Sequence, residues 1–454
     1  MTTVSPDSSV ASIAARLERL PNSLWHLKVR TLIGVVTFFE AFDQLLVASA
    51  LPLLIKEWQL TTGQITLAIT SGSVGMLLGA LAAGWAADRI GRVRVVILAV
   101  ALTAVSSLAI AFAPGFAVFA LLRFVQGFGI GAEVPVAATY VNEIAKAKNR
   151  GRFVLLYELV FPAGLTAATV VAAWVVPNWG WRAMFLLGAI PALLAVYLQR
   201  RIPESPRWLA TKGRLEEADR VLSGIEAEVA RSKPLPEPEP VTQTSAAERK
   251  AGLRDLFAGI YLRRTIVVSL LWFFGYFVNY GITAWLPTLY TKVFKLDLQT
   301  ALNYNLFTSL AGLIGCLVVA LVIDRVGRRL CLAMGLGGAA VALFTVAVLG
   351  ATSGTQVAVF ASLTAMFVFA TNVTLYLYTP ELYPTRSRAL GCAAGGAWNR
   401  VGVIVGPIVV GAIVGSGGSP STIFTVLGVM ALTGAVVALF AVETRGRTLE
   451  QLNP

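Results

Sequence analysis

Long apolar segments alternate with short polar connections along most of the chain. Each apolar segment holds about twenty residues, the length at which an α-helix crosses the ~30 Å hydrocarbon core of a bilayer. A helix satisfies its backbone hydrogen bonds internally and can therefore face lipid. The pattern predicts twelve membrane spans, at residues 31–52, 66–87, 94–113, 116–141, 153–176, 182–200, 265–290, 302–323, 329–350, 356–379, 388–414 and 421–442.

Arg and Lys residues gather in alternate connections. They follow the second, fourth, sixth, eighth, tenth and twelfth spans, whereas the opposite connections, such as 351–354 and 415–420, are short and poor in cations. Lys and Arg are enriched in cytoplasmic loops, so this pattern predicts that both termini lie in the cytoplasm. We expect a multi-pass protein of the cell inner membrane, in contact with the lipid bilayer.

The longest polar stretch separates the first six spans from the last six. It contains short amphipathic segments and a Pro-rich run at 233–240, which suits an extended linker. The predicted fold class is an all-α membrane protein with twelve transmembrane helices in two six-helix bundles. The predicted domains are a cytoplasmic N-terminal segment, a first bundle, a cytoplasmic linker, a second bundle and a cytoplasmic tail, at residues 1–30, 31–201, 202–263, 264–442 and 443–454.

The overall composition agrees with a membrane protein and argues against several other classes. Hydrophobic residues make up 56% of the chain and charged residues 13%, whereas soluble domains carry about 25% charged residues. The net charge of +13 is spread over short clusters between apolar segments, which argues against nucleic-acid binding. The three cysteines have no metal-ligand spacing, and no phosphate-binding loop occurs. We therefore expect no metal, no cofactor and no catalytic residues.

Three pairs of polar positions recur at nearly one offset, which indicates that the two halves are parallel repeats. An Asp-Arg-x-Gly-Arg motif follows both the second and the eighth spans. Glutamates recur after the fourth and tenth spans and again after the sixth and twelfth. The pairs are Asp88 with Asp324, Glu143 with Glu381 and Glu204 with Glu443, separated by 236, 238 and 239 residues.

Six motifs follow one another in a fixed order along the chain. They are Asp88-Arg-Ile-Gly-Arg92, Arg123-x3-Gly127-x-Gly129-x-Gly131, Glu143-x6-Arg150-Gly151, Pro203-Glu-Ser-Pro-Arg-Trp-Leu209, Glu381-Leu-Tyr-Pro-Thr-x2-Arg388 and Glu443-Thr-Arg-Gly-Arg-Thr448. In this order the chain resembles the major facilitator superfamily over about residues 25–450. One position departs from the pattern: Ala320 stands where the first copy has Gly84, which predicts a looser helix contact there.

Further segments narrow the resemblance within that superfamily. They are Gly129–Ala137, Trp285-Leu-Pro287, Tyr378–Pro384 and Arg400–Pro407. These are similar to the niacin-transporter branch, which is akin to aromatic-acid/proton symporters, animal organic-ion transporters and synaptic vesicle glycoproteins. The resemblance implies uptake of a small organic ion, commonly coupled to protons.

Charged residues of the motifs are candidates for a gate. Carboxylate–guanidinium pairs can hold one half against the other and separate as the halves rock. The alternative is that these cations only determine topology. The candidates are Asp88, Arg92, Glu143 and Arg150 in the first half and Asp324, Arg328, Glu381 and Arg388 in the second.

Arg400 lies about a dozen residues into the eleventh span, near the middle of the membrane. A charge at this depth requires a cavity or a partner. Its guanidinium suits a substrate carboxylate, and the alternative is a structural pair with Glu133 or Asp43.

Acidic residues inside the spans are candidates for proton coupling, because no span contains histidine. Asp43 and Glu133 come first, and Glu40 and Glu158 follow. The alternative for each is a structural hydrogen bond.

Aromatic and amide residues cluster in the seventh, tenth and eleventh spans. Rings at helical spacing usually pack in a core or face lipid, but the polar tips on one face suit a flat heteroaromatic ring. The candidates are Trp272, Tyr276, Asn279, Tyr280, Asn372, Tyr376 and Trp398.

Together these features predict an alternating-access secondary transporter, functional as a monomer, that takes up a small organic anion with protons. A monocarboxylate with an aromatic or heteroaromatic ring, such as niacin, is the leading substrate. One alternative is a sugar or organic-cation carrier of the same fold. Another is a non-transporting membrane receptor or scaffold, which the gating motifs in both halves disfavour.

Overall fold

The computed structural model describes most of the chain and is entirely helical within the parts described. The described residues are 10–21, 23–144, 159–191, 197, 202–237, 252–447 and 449–452. The helices are α1 Val10–Arg19, α2 Leu24–Trp58, α3 Thr62–Ile90, α4 Arg92–Ala111, α5 Phe116–Ile144, α6 Val160–Gly188, α7 Pro206–Thr211, α8 Leu215–Ala230, α9 Ile260–Thr283, α10 Leu286–Lys292, α11 Leu298–Val326, α12 Arg328–Val348, α13 Gly354–Glu381, α14 Thr385–Gly415, α15 Pro420–Leu439 and α16 Leu449–Leu452, with a 3₁₀ turn at Leu253–Phe257.

Eleven helical segments within these ranges are long and apolar enough to cross a membrane. They correspond to all the predicted spans except the sixth, residues 182–200, of which 192–196 and 198–200 lie outside the described residues. Its start is visible, since Gly180 has φ +78° and breaks α6 just before Trp181. That break falls between the predicted fifth and sixth spans.

Two predicted spans differ in extent from the helices observed. The helix of the first predicted span, α2, runs over 35 residues and extends beyond the apolar run 31–52 at both ends. A helix need not end where the hydrocarbon of the membrane ends. The seventh span is divided into α9 and α10 at Ala284 and Trp285. Pro287 stands in the first turn of α10, where a residue without an N–H is tolerated.

The two halves have the same arrangement of helices. In the first half α3 packs against α5 and α2 against α6, and in the second half α11 packs against α13 and α9 against α14. The halves meet along a seam formed by α3 with α14 and by α6 with α11. This seam is where side chains from both repeats come together.

Among the described residues, one apolar cluster contains side chains from both halves. The largest cluster of buried side chains includes Leu46 and Phe185 of the first half together with Phe277 and Leu427 of the second. Two smaller clusters lie near the Asp-Arg-x-Gly-Arg connections, and each belongs to a single half. We call the end with those connections the motif end; the halves share a core away from it.

The N-terminal helix α1 is fastened to the linker helix α8. Arg16 Nη2 lies 2.7 Å from Glu226 Oε2, and Arg19 Nη2 lies 2.7 Å from Glu226 Oε1. Ile13 and Leu20 are fully buried beneath these pairs. The predicted N-terminal segment 1–30 therefore contains an ordered helix that packs on the linker.

We predict that Glu226→Gln loosens α1. Burial by itself raises the pKa of Glu226, but hydrogen bonds from Arg16 and Arg19 outweigh burial and hold that pKa below its ordinary value. The carboxylate therefore stabilises the docked helix above the ordinary carboxyl pKa, and this contribution is lost as pH falls.

Amide hydrogen exchange across residues 10–19 measures this effect. At neutral pH the variant should exchange about tenfold faster than the parent chain. Glu216→Gln on the exposed side of α8 is the matched control. Equal exchange in Glu226→Gln and the parent would show that the ion pairs do not hold α1.

Candidate functional site

Polar side chains from both halves meet near the middle of the seam. They come from α2 and α5 in the first half and from α9, α13 and α14 in the second, each inside an otherwise apolar helix. We call the following residues the central cluster: Glu40, Gln44, Glu133, Tyr276, Tyr280, Tyr376 and Arg400.

Arg400 lies between the halves without an ion pair to any described carboxylate. Its Nη1 is 4.0 Å from Met76 Sδ on α3, across the seam. Glu40 and Tyr280 are near enough to interact with it electrostatically. Gly402 lets α14 approach α9 closely, because a Cβ there would stand 2.6 Å from the Phe273 carbonyl oxygen.

A hydrogen-bonded chain connects the two halves beside Arg400. The Tyr280 hydroxyl donates to Gln44 Oε1, and Gln44 Nε2 donates to Glu40 Oε1 at 3.4 Å. Glu40 is 4% exposed, and no described residue donates to its Oε2. Glu133 is equally buried and interacts with Glu40 electrostatically. Glu40 thus interacts with both Arg400 and Glu133.

A second polar group lies inside the first half, where Asp43 faces Arg123. Both side chains are buried, and no described donor reaches either oxygen of Asp43. Arg123 Nη1 donates to Gln126 Oε1 at 2.5 Å, and Gln126 Nε2 donates to Ser107 Oγ at 2.5 Å. The sequence marked Arg123 only as a motif residue. Its depth in an apolar span was the available signal for its pairing with Asp43.

Aromatic rings form a continuous wall along α9. Trp272 stacks on Tyr276 with ring centroids 5.5 Å apart, and Tyr276 stacks on Tyr280 at 6.1 Å. Tyr376 on α13 meets the edge of Trp272 at 4.8 Å. Trp272 Nε1 donates to Thr379 Oγ1 at 2.9 Å, which fixes the orientation of the indole.

Three predicted binding residues lie at the border of this wall or away from it. Asn372 lies against Gly275, and no described residue donates to its Oδ1. Asn279 is 5% exposed and lines a small separate cavity. Trp398 is 44% exposed and rests against Phe273. It lies about 200° around α14 from Arg400, so the structure does not bring Trp398 into the central cluster.

The first set of motif residues forms a network within the first half. Arg92 Nη1 lies 2.7 Å from Asp88 Oδ1, and Arg92 Nε lies 3.2 Å from Glu143 Oε1. Glu204 caps α4, since its Oε1 accepts from the backbone N–H of Arg92 at 2.9 Å and of Val93 at 3.1 Å. A carboxylate at this position also faces the positive end of the helix dipole.

The second half repeats the network residue for residue. Arg328 lies 3.0 Å from Asp324 and 3.3 Å from Glu381, and Glu443 accepts from the backbone N–H of Arg328 at 3.0 Å and of Arg329 at 3.1 Å. The residue pairs that recur at nearly one sequence offset therefore also make equivalent contacts in the two halves.

The remaining gating candidates are Arg388 and Arg150. Arg388 Nε donates to the Pro380 carbonyl at 3.1 Å. Arg150 and the acidic candidate Glu158 lie outside the described residues. Among the described residues, every ion pair at the motif end stays within one half or joins that half to the N-terminal and linker helices. These ion pairs therefore do not join the two halves to each other.

No group of three or more His, Cys, Asp or Glu side chains that could hold a metal ion occurs in the described part of the chain. The site consists of aromatic rings, amides, carboxyl groups and one guanidinium. Such groups can bind and orient an organic ion and can exchange protons.

Comparison with known proteins identifies the architecture. The model of the family described as "Sugar (and other) transporter" matches residues 31–454. The niacin transporter NiaP of Acinetobacter baylyi is 32% identical over 97% of this chain and 99% of its own length. The gallate transporter of Pseudomonas putida is 29% identical over 93% of each chain.

A solved structure of the xylose transporter XylE from E. coli, in a partially occluded inward open conformation, superposes with a TM-score of 0.73 at 20% identity. It covers 94% of this chain and 100% of that one. The predicted fold class, twelve transmembrane helices in two pseudo-symmetric bundles, is confirmed. So is the predicted resemblance to the major facilitator superfamily.

We predict that Glu443→Gln and Glu204→Gln each lower the thermal stability of the purified protein. Each substitution replaces a charged cap at a helix N-terminus, which stabilises by about 1 kcal/mol. Because the two caps are equivalent, the two losses should be similar, and Glu237→Gln, at an exposed position outside any helix, should have no effect. An unchanged unfolding temperature for both cap variants would contradict this prediction.

Proposed function

This chain belongs to the major facilitator superfamily, in its sugar (and other) transporter family, and we propose that it takes up a small aromatic monocarboxylate together with protons. Its membership makes it a multi-pass membrane transporter. Niacin is the leading candidate substrate, since a relative that covers nearly the whole chain is named a niacin transporter.

The observation that carries this proposal is the position of Arg400. A guanidinium near the middle of a bilayer costs at least about 2.5 kcal/mol on insertion scales unless it gains a partner. Arg400 lies on the seam between the halves, and its guanidinium contacts the neutral sulfur of Met76 across that seam at 4.0 Å. A substrate carboxylate can supply the missing anion through two parallel hydrogen bonds.

The wall of rings beside Arg400 supports an aromatic substrate. Stacked Tyr276 and Tyr280 present faces against which a flat ring can pack. Two relatives are named for niacin and for gallate, and both compounds are carboxylic acids on a six-membered aromatic ring. A sugar needs no guanidinium, and an organic cation would be repelled by one.

Glu40 offers a route to proton coupling. When ionised, Glu40 partly neutralises Arg400 and competes with a substrate carboxylate. When protonated, it leaves the guanidinium to the substrate, so that proton and anion bind together with little net charge. Glu133 interacts with Glu40 and joins the same equilibrium. Asp43, opposite Arg123, is a second proton site within the first half.

Alternating access follows from the seam. We propose that the motif end faces the cytoplasm, as its Arg and Lys content favours, with both termini on that side of the inner membrane. The halves, residues 31–201 and 264–442, then rock about the central cluster. In the outward-facing state the motif networks would approach one another and close the cytoplasmic side, which is the gating role proposed for their charged residues.

We predict that Arg400→Ala removes the thermal stabilisation that nicotinate and benzoate give to the purified protein, because a ligand stabilises only the state that binds it. Loss of a charge-assisted hydrogen-bond pair corresponds to at least about a tenfold loss of affinity. Arg400→Lys should retain part of the affinity, since it keeps the charge but lacks the planar fork.

Arg325→Ala, at an exposed position in the last turn of α11, is the matched control and should bind as the parent does. If Arg400→Ala keeps its affinity for both acids, another residue binds the substrate carboxylate. Stabilisation of the parent by sugars or amines alone would overturn the substrate class.

We predict that Asp43→Asn, Glu133→Gln and Glu40→Gln each weaken accumulation driven by a pH gradient while allowing exchange of substrate across the membrane. The neutral side chains keep the shape of the site but cannot carry a proton. Uptake by proteoliposomes, with and without an imposed gradient, separates the two activities. Glu57→Gln, near the end opposite the motifs, is the control; accumulation by all three site variants would place the proton elsewhere.

A further inference from the structure

An open cavity of about 450 Å³ lies at the end of the first half opposite the motif end. The last turns of α2 supply one wall, with Leu53, Lys56 and Glu57, and residues 179–182 at the break in α6 supply the other. All of these residues belong to the first half. A ligand held here would therefore not lie between the two halves, where the central cluster is.

Glu57 ties the two walls of this cavity together. Its Oε2 accepts from Trp181 Nε1 at 2.7 Å, and its Oε1 accepts from Arg182 Nη2 at 2.7 Å. The Arg182 guanidinium also lies 4.4 Å from the centroid of the Trp181 ring. These contacts orient Arg182 before any ligand arrives, and its side chain remains 45% exposed. A guanidinium has five N–H donors, so Arg182 can bind a further anion.

Lys56 gives the cavity an excess of positive charge. It lines the cavity and is exposed, and no carboxylate of the described chain forms an ion pair with it. The two cations Lys56 and Arg182 face the single carboxylate of Glu57, which leaves one positive charge. A monoanion bound between the cations would neutralise this charge through charge-assisted hydrogen bonds.

The cavity lies at the level where the bilayer meets water. Lys56 comes four residues after the predicted first span 31–52, which places it about 6 Å beyond the end of that span. Trp174 and Trp179, at the end of the predicted fifth span, are 60% and 62% exposed, with ring centroids 4.8 Å apart. Exposed tryptophans at the ends of spans are typical of the membrane–water interface. Trp179 also lines the cavity, so the cations stand beside an apolar surface that faces lipid.

We propose that this cavity binds the headgroup of an anionic phospholipid, with the phosphodiester between Lys56 and Arg182 and the adjoining chains along Trp179. A phosphodiester carries one negative charge and matches the excess charge of the cavity. The exposed indole favours a lipid over a free phosphate ion, because only the lipid has apolar chains to cover it. The site is independent of the acid transported at the central cluster.

The test is the unfolding temperature of the full-length purified protein in detergent, measured over increasing dioleoyl phosphatidylglycerol or dioleoyl phosphatidylcholine. The anionic lipid should reach half of its stabilising effect at about a tenfold lower concentration than the zwitterionic lipid. Lys56→Gln should bring the two concentrations together, and Trp179→Ala should weaken stabilisation by both lipids. Lys292→Gln, which removes an exposed cation of α10 at the same end of the second half, is the matched control and should keep the preference of the parent.

Three results would overturn the proposal. The first is equal stabilisation by the two lipids, or a preference for phosphatidylglycerol that survives Lys56→Gln. The second is full stabilisation by inorganic phosphate or glycerol phosphate alone, which would make the cavity a site for a soluble anion. The third is a loss of stabilisation by nicotinate in Lys56→Gln while the lipid preference is kept, which would make the cavity a site for the transported acid.

Discussion

A charge held inside a membrane must be neutralised, and this requirement accounts for the arrangement at the centre of the molecule. Arg400 meets no described carboxylate directly, whereas Glu40 lies close enough to interact with it electrostatically, and Glu133 interacts with Glu40. The net charge of this group of one cation and two acids therefore changes with each proton or anion that binds. Because these residues lie on the seam, the interactions among them depend on the relative orientation of the two halves.

The two repeated halves are separately packed helical bodies. They contact each other along the seam, which is where one half can move relative to the other. Each half carries its own motif network and its own apolar cluster near that network, while a common cluster joins the halves at the other end. Packed cores resist continuous deformation, so the halves change their contacts mainly at the seam. In the proposed rocking motion, the candidate binding site and the gating candidates therefore move together.

Sequence periodicity predicted the spans, the repeat and the pairing of Arg92 with Asp88, because each depends on spacing along the chain. Contacts between distant helices were less accessible. The pairing of Asp43 with Arg123 and the exposure of Trp398 depend on helix rotation, which apolar composition does not specify.

The caps of α4 and α12 have a consequence for the order of assembly. Glu204 and Glu443 lie more than one hundred residues after the helix ends that they cap. During synthesis the first backbone N–H groups of α4 and α12 therefore lack these caps until the linker with Glu204 or the tail with Glu443 has been made. Each half can reach its final structure only after its last helix has been made. The segment that follows α15 therefore completes the second half.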